Sequence, residues 1–301
     1  MKKVFKWIGI VLGSLVGLIL VLAAVFYFIG NARLSKAYEF PPDNIVIPTD
    51  AASIEYGKHR VQTMCIGCHG DDLSGITDFA VVGPIMTLDS ANLTSGQGGI
   101  GQEYTSDEDY VLAMRHGVGS DGKPIFMPAV LSFQHMSDQD LGAIIAYLKT
   151  VPPVDHQTNG LQIKPMGKIL VGAGVFGKLP VEEVSHHTTV TAPVADATVE
   201  YGEYLVNIGG CHECHGSELA GGPFPDPSIQ VISPNLTPGG ELNAWSEEDF
   251  MTAIRTGVTP SGHQLKPELM PWNEIGGLND DELKAIWLYL QSLPKLPQYT
   301  E

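Results

Sequence analysis

The stretch Cys65-Ile66-Gly67-Cys68-His69 recurs 146 residues later as Cys211-His212-Glu213-Cys214-His215. In each copy two residues separate the cysteines and a histidine follows directly, and the two copies use all four cysteines of the 301-residue chain. Given one cysteine in this composition, chance supplies the rest of the motif only about 4 times in 10,000. The pattern therefore reflects a chemical requirement that the chain meets twice.

Similarity extends on both sides of this motif and divides the chain into two related halves. The matching segments keep an offset of 140–146 residues. They are Glu55-Tyr56-Gly57 with Glu200-Tyr201-Gly202, Asn92-Leu93-Thr94 with Asn235-Leu236-Thr237, Arg115-His116-Gly117 with Arg255-Thr256-Gly257, Met127-Pro128 with Met270-Pro271, and the apolar run that begins at Ala143 with the one at Ala285. The near-constant offset indicates a duplicated domain.

The repeated motif has the geometry that covalent haem attachment requires. Two thiols at this spacing reach the two vinyl groups of the porphyrin, and the same helical turn brings the next imidazole under the iron. We therefore predict two covalently bound haem c groups, attached by Cys65, Cys68 and His69 and by Cys211, Cys214 and His215.

Three other interpretations of the cysteines stay open, namely a zinc site, a thioredoxin-like redox motif and structural disulfides. Zinc would explain neither the repeated histidine nor the repeated methionine. A thioredoxin-like motif would need a βαβ context, which the sequence lacks.

The second axial ligand of each iron has to come from later in its half. Met127 and Met270 are the candidates, because each is followed by proline and precedes the last helix at an equivalent place in the repeat. A thioether favours ferrous iron, so this ligation raises the reduction potential. His116 and His135 are possible substitutes in the first half, but neither has a histidine counterpart in the second.

Haem propionates are anionic and need hydrogen-bond donors where they are partly buried. Two repeated residue pairs are candidates for this role: Asn92 with Asn235, and Arg115 with Arg255. A structural role at a helix cap or helix end is the alternative for each of them.

The predicted fold class is all-α, with three main helices in each half. The first helix is expected near Ala51–Met64 and Thr198–Ile208, the second between Ser106 and Gly117 and between Ser246 and Gly257, and the last from Ser137 and from Asn279. Capping residues mark these starts and glycines mark the ends of the second helices. The long stretches 70–103 and 217–244 have few helix signals, which favours domains that surround a large rigid cofactor.

Residues Ile8–Ile29 form an apolar run of 22 residues without a charge. As a helix this run would be about 33 Å long, enough to cross a bilayer core. A cleaved signal peptide is the alternative, although its apolar core is usually only about 7–15 residues long. Three lysines precede the run and two basic residues follow closely, which predicts a bacterial inner-membrane anchor with the rest of the chain on the periplasmic side.

Charge is distributed unevenly along the chain. Residues 1–36 carry five basic and no acidic side chains, which leaves 12 basic and 34 acidic residues in the remainder. A surface this acidic repels nucleic acid, so we expect redox protein partners, with a basic docking surface as one option. The alternative is that the acidic residues only confer solubility.

We predict four segments along the chain. They are an anchor at 1–36, a first haem domain at 37–150, a linker at 151–196 and a second haem domain at 197–301. The apolar patch Ile169–Phe176 in the linker is too short to span a bilayer, so we expect it to dock onto a haem domain. His186-His187 is interpreted as a solvated pair, with metal ligation as the alternative.

At these motifs the chain resembles class I cytochrome c, and more narrowly the membrane-bound multi-haem cytochromes that serve periplasmic dehydrogenases and respiratory oxidases. The likeness covers about residues 50–152 and 197–297. It implies two tandem cytochrome c domains behind one transmembrane helix. In that family the first and last helices cross at a glycine–aromatic contact, which here would pair Gly57 with Tyr147 and Gly202 with Tyr289.

The expected function is electron transfer between redox partners, with no catalytic residue and no small-molecule substrate. Two alternatives remain open. One is a di-haem enzyme, such as a peroxidase or a sulfur-compound oxidoreductase, which would need an iron with a displaceable ligand. The other is a non-catalytic subunit of a dehydrogenase or oxidase complex.

Overall fold

A computed structural model describes residues 2–186, 189–226 and 229–300 of the chain. The fold is mostly helical. The helices are α1 (Lys2–Leu34), α2 (Ala51–Met64), α3 (Ile66–His69), α4 (Ile100–Glu103), α5 (Asp107–Val111), α6 (Val130–Phe133), α7 (Asp138–Leu148), α8 (Pro165–Gly172), α9 (Pro180–Glu183), α10 (Val199–Ile208), α11 (Cys211–His215), α12 (Glu247–Thr256), α13 (Trp272–Ile275) and α14 (Asp280–Ser292). A π-helical turn at Leu112–His116 continues α5, and a 3-10 turn occupies Glu241–Ala244.

Short strands qualify the all-α prediction. Antiparallel pairing joins β1 (Ala80–Val82), β2 (Met86–Leu88) and β3 (Leu161–Ile163) into a small sheet, and β4 (Gly222–Pro223) pairs with β5 (Ile232–Ser233). Sequence reading missed these strands because each is only two or three residues long, too short to show a period-two pattern. β3 comes from the predicted linker, so the linker is partly built into the first domain.

The main helices begin and end where local capping signals place them. Asp50 and Thr198 cap the first helices, and Ser246 and Asn279 form capping boxes with the acidic residue three positions later. Gly117 and Gly257 end the second helices in the left-handed conformation, with φ of 72° and 71°. These outcomes confirm the predicted boundaries, because side chains only a few residues away decide them.

The first and last helices of each domain cross at a glycine. A Cβ added at Gly57 would overlap the carbonyl oxygen of Ala143, and one added at Gly202 would overlap that of Ala285. Only glycine lets the two backbones approach this closely. The aromatic contact implied by the family resemblance is present at Gly202, where the Cβ of Tyr289 would lie 2.8 Å from an added Cβ. At Gly57 the nearest atoms belong instead to the backbone of α7.

The linker patch lies against the N-terminal helix, so the expectation that it docks onto a haem domain was wrong. α8 packs along the end of α1, where Gly30 and Gly172 allow their backbones to meet. Within the described residues, α1 is the one helix that is long and apolar enough to cross a membrane.

Candidate haem-binding sites

Both motif histidines are held in the same way. His69 Nδ1 lies 2.7 Å from the carbonyl oxygen of Ala91, and His215 Nδ1 lies 2.8 Å from that of Pro234. A carbonyl only accepts, so Nδ1 carries the proton and Nε2 keeps its lone pair in the neutral ring. Burial lowers the pKa of both imidazoles, which favours this neutral form. Each ring therefore leaves the lone pair of Nε2 free to bind a metal, which is the state that an axial ligand of haem iron needs.

No disulfide joins the four cysteines, all of which the structure describes, so the structural-disulfide alternative is not supported. Burial raises the pKa of Cys65 and of Cys211 to about 12. A redox-active cysteine needs the opposite shift, toward the thiolate. The thioredoxin-like alternative is therefore not supported.

The two methionines lie at equivalent places beside the apolar core. Met127 precedes α6 and Met270 precedes α13, and both side chains are partly buried against core residues. The turns that lead to them have the same geometry, with Gly122 and Gly262 at φ of 73° and 81°. Five residues separate the bridge residue Gln264 from Met270, whereas only two separate the equivalent bridge residue Pro124 from Met127. The two methionine loops therefore differ in length.

The repeated asparagines brace loops. Asn92 donates through Nδ2 to the carbonyl oxygens of Val154 and His156 and accepts from Thr94, and Asn235 repeats the pattern with Leu296 and Thr237. These bonds tie each Asn-Leu-Thr loop to the segment that follows the last helix of its domain. Contact with a propionate stays a prediction for both residues.

The repeated arginines hold the start of the last helix. Arg115 is fully buried and contacts Asp43 and Asp138 at 3.1 and 2.8 Å. Arg255 contacts the equivalent Asp280 at 2.8 Å and the carbonyl oxygen of Gly276. These contacts support the alternative role of both arginines at a helix end. Nε of Arg115 is nevertheless buried without a hydrogen-bond partner among the described residues. Propionate binding by either arginine also stays a prediction.

The remaining histidines have structural contacts. His116 is fully buried, with Nε2 3.3 Å from Asp43 and Nδ1 3.0 Å from Nδ1 of His186. The ring of Phe40 stacks on both imidazoles. The expectation that His186 is solvated was therefore wrong, and His187 lies outside the described residues. His135 is exposed in the turn between α6 and α7.

Both attachment motifs lie at the interface between the two domains, and each contacts the other domain. Glu213, inside the second motif, lies 2.7 Å from Ser132 in α6 of the first domain. Reciprocally, Glu274 in α13 contacts Gly67 of the first motif, 3.2 Å from where its Cβ would be. Burial and the charges of these two glutamates raise the pKa of the Cys68 thiol. Each motif therefore packs against the segment after the candidate methionine of the other domain.

A buried polar network fastens this interface. Arg60, on α2, contacts Glu282 of the second domain at 3.0 Å and Asp140 of its own domain at 3.5 Å, and all three side chains are less than 5% exposed. The guanidinium also donates to the hydroxyl oxygens of Tyr56 and Tyr201 at 2.7 and 2.6 Å. We call these five residues the interdomain clamp.

Two further contacts extend the clamp. The Tyr204 hydroxyl donates to Asp140 at 2.7 Å, and His59 Nε2 lies 2.7 Å from Glu282. The sequence does not indicate a role for Arg60, since its equivalent in the repeat is Leu205 and no motif marks it.

Family models match both domains. Residues 54–152 match the model for cytochrome c, and residues 197–290 match the model for subunit III of cbb3-type cytochrome c oxidase. Together these matches cover more than half of the chain, which therefore belongs to the cytochrome c family. It is an electron-transfer cytochrome with two cytochrome c domains and two covalently bound haem c groups.

Individual relatives are cytochrome subunits and a di-haem cytochrome. The cytochrome c subunit of quinone alcohol dehydrogenase from Gluconobacter oxydans is 29% identical over 83% of this chain and 56% of its own length. The di-haem cytochrome c of Cereibacter sphaeroides is 29% identical over 66% of this chain and 68% of its own. The gluconate 2-dehydrogenase cytochrome c subunit of Pantoea cypripedii is 37% identical over 31% of this chain and 23% of its own. The chain thus spans little more than half the length of the alcohol dehydrogenase subunit.

Proposed function

We propose that this chain is a membrane-anchored electron carrier that receives electrons from a dehydrogenase at the outer face of the bacterial inner membrane. The observation that carries this proposal is the reciprocal packing of the two attachment motifs at the domain interface. Two redox centres attached at motifs that both lie at this interface are positioned for exchange of electrons within one chain. The names of the relatives, which include cytochrome subunits of three different dehydrogenases, support the type of partner.

Each haem is assigned the same set of protein ligands. We assign attachment to Cys65 and Cys68 in the first domain and to Cys211 and Cys214 in the second. The axial ligands are His69 with Met127 and His215 with Met270. The hydrogen bonds at Nδ1 of both histidines and the equivalent surroundings of both methionines support this assignment.

When bound, each haem c accepts and releases one electron at its iron. The protein contributes position and environment. The carbonyl oxygens of Ala91 and Pro234 fix the imidazole orientation and strengthen each nitrogen as a ligand. The methionine thioethers favour the reduced state. The interdomain clamp holds the two motifs in a constant relative position.

We propose that α1 is retained as an anchor, with haem domains at 37–150 and 197–301 on the periplasmic side. Contacts between α1 and the folded linker support retention rather than cleavage. Lys168 donates to the side-chain oxygen of Asn31 at 2.7 Å, and Gly30 packs closely on the carbonyl oxygen of Lys168. A signal peptide would be removed together with these contacts.

The acidic balance of the exported part supports a basic docking surface on one redox partner. Surface charges of opposite sign raise the rate of encounter, and this effect falls as salt screens them. The ionic-strength dependence of the association rate therefore tests the sign of the partner surface.

The decisive experiment uses the full chain, purified from membranes with its covalent haem. Haem content per chain and the extent of haem reduction by a co-purified dehydrogenase are measured first. We expect two haems per chain and reduction on addition of the dehydrogenase substrate. Cyanide and carbon monoxide are then added at neutral pH, and we expect no rapid spectral change because both axial positions are filled. Rapid binding at one haem would contradict the carrier proposal and favour a di-haem enzyme.

A further inference from the structure

One surface outside the haem domains continues the apolar surface of α1. It belongs to residues 165–177, which comprise α8 and the turn that follows it, and we call this segment the linker hairpin. We propose that the tip of the linker hairpin inserts into the outer leaflet of the lipid bilayer beside α1. This inference rests on the proposed role of α1 as a membrane anchor.

The position of the hairpin along α1 supports insertion. α8 runs antiparallel to α1, because Lys168 meets Gly30 whereas Gly172 meets Phe26. The turn after Gly172 therefore continues toward the middle of the apolar run. From Lys168 to the turn, successive residues of the hairpin therefore lie deeper in the part of the bilayer that α1 would span.

Exposure along α1 shows how far the hairpin reaches. Within residues 2–30, the residues that are partly or fully buried are Ala23, Phe26, Tyr27 and Gly30, which share one helical face. From Ile29, where the apolar run ends, to Ala23 is about 9 Å along a helix. Interfacial segments of membrane proteins are buried to about 5–10 Å, so the tip lies at acyl-chain depth.

The tip presents apolar side chains that no described part of the chain covers. Val175 is 63% exposed and Phe176 is 52% exposed, in a chain that is otherwise acidic outside α1. Lys164 and Lys178 flank the hairpin in the sequence, and Lys164 also donates to the carbonyl oxygen of Gly83 at 2.8 Å. Basic residues beside an inserted segment attract anionic headgroups. An aromatic tip between flanking lysines is the composition of an interfacial anchor.

The backbone of the hairpin is also suited to an apolar medium. Lipid offers no hydrogen bonds, so the polar groups of an inserted turn need partners within the protein. Val175 N–H donates to Leu170 at 3.0 Å, and Gly177 N–H donates to Gly174 at 3.1 Å. Arg33 supplies donors to the carbonyl oxygens of Val171 and Gly177, and Glu182 balances its charge.

Insertion at this place would fix the height of the first haem domain above the membrane. The hairpin begins directly after β3, which pairs with β2 of that domain. Gly167 packs closely on the carbonyl oxygen of Ile85. The first domain is therefore joined to the bilayer through two rigid elements, α1 and α8, and not through a flexible tether alone.

The test uses the full-length holoprotein in vesicles of phosphatidylethanolamine and phosphatidylglycerol, with a carbene-generating group placed in the lipid acyl chain. After photolysis, labelled peptides are identified by mass spectrometry. The matched control is the exposed apolar pair Val231 and Ile232 of the second domain, which are 39% and 41% exposed. We expect labelling of residues 173–177 on the order of tenfold above this control, because acyl chains reach only inserted segments.

Three other outcomes are informative. Labelling of α1 without the tip would overturn the insertion and leave the anchor intact. Labelling of neither would overturn the anchor itself. In a parallel sample with a photoreactive amino acid at position 176, cross-links from the tip to a second copy of the chain or to another protein, together with absent lipid labelling, would also overturn insertion and identify a protein contact. A Phe176→Asp variant should lose tip labelling while α1 labelling stays unchanged.

Discussion

Replacing Arg60 with methionine removes the cation at the centre of the interdomain clamp and keeps a side chain of similar length. Asp140 and Glu282 then remain buried, with side-chain exposures of 4% and 3%, and without their shared guanidinium. Breaking a buried ion pair in this way costs about 3–5 kcal/mol, since the remaining charges stay desolvated. For a chain of this size that corresponds to a decrease in melting temperature on the order of 10 °C.

The assay is thermal unfolding of the detergent-solubilised holoprotein, followed by far-ultraviolet circular dichroism and by haem absorbance. Because Arg60 bonds to Tyr201 and Glu282 in the second domain, the variant should also lose cooperative unfolding of the two domains. Lys58→Met is the matched control, since Lys58 lies on the same helix and pairs with Glu55 at the surface. Exposed pairs of this kind contribute about 0–1 kcal/mol.

A double variant separates the charge effect from lost packing. Adding Glu282→Gln to Arg60→Met removes one uncompensated carboxylate, and we expect it to recover part of the lost stability, about 0.5–3 kcal/mol of coupling. The reasoning would be refuted if Arg60→Met destabilised the protein no more than Lys58→Met does. It would also be refuted if the two substitutions were strictly additive.

Four other outcomes are expected. Met127→Ala and Met270→Ala should each remove half of the near-infrared sulfur-to-iron absorption band, and retention of the full band in either would reject that ligand. Association with a basic redox partner should slow markedly with added salt, whereas a constant rate would exclude steering. Burial alone would raise the pKa of Glu282, but the hydrogen bond from His59 and the charge of Arg60 lower it overall. The contribution of ionised Glu282 to folding stability is therefore complete above its unfolded-state pKa of about 4.3 and is lost as pH falls through its lower folded-state pKa. Urea unfolding between pH 3 and 6 should show a loss of stability that the Glu282→Gln variant lacks. Gly202→Ala should cost about 1–3 kcal/mol in thermal unfolding, because its Cβ would overlap a backbone carbonyl of α14; a neutral result would reject the close crossing.

Local patterns in the sequence determined the helices and the cofactor. Asp50 caps α2 through a residue three positions away, and Gly117 ends the π-helical turn in a conformation that glycine adopts readily. The Cys-x-x-Cys-His motif brings the two thiols that attach the haem and the ligating histidine together within five residues. Interactions of such short range are encoded in consecutive residues, so they can be read without the fold.

Tertiary structure decided which polar residues became structural. Arg115 meets Asp43 across 72 residues, and Arg60 meets Glu282 across 222. Sequence spacing does not specify such partners, and the repeat gave no indication of Arg60 because its counterpart is apolar. Asn92 was recognised as important from the repeat, but its bonds to the segment after α7 appear only in the fold.

The linker shows the same division. Its apolar residues were evident from the sequence, yet their contact with α1 depends on Gly30 and Gly172, which lie 142 residues apart. Burial of apolar surface is not directional, so hydrophobicity alone does not select which surface a segment will cover. The sequence by itself determined what the two domains bind, whereas the tertiary structure decided how they are joined to each other and to the N-terminal helix.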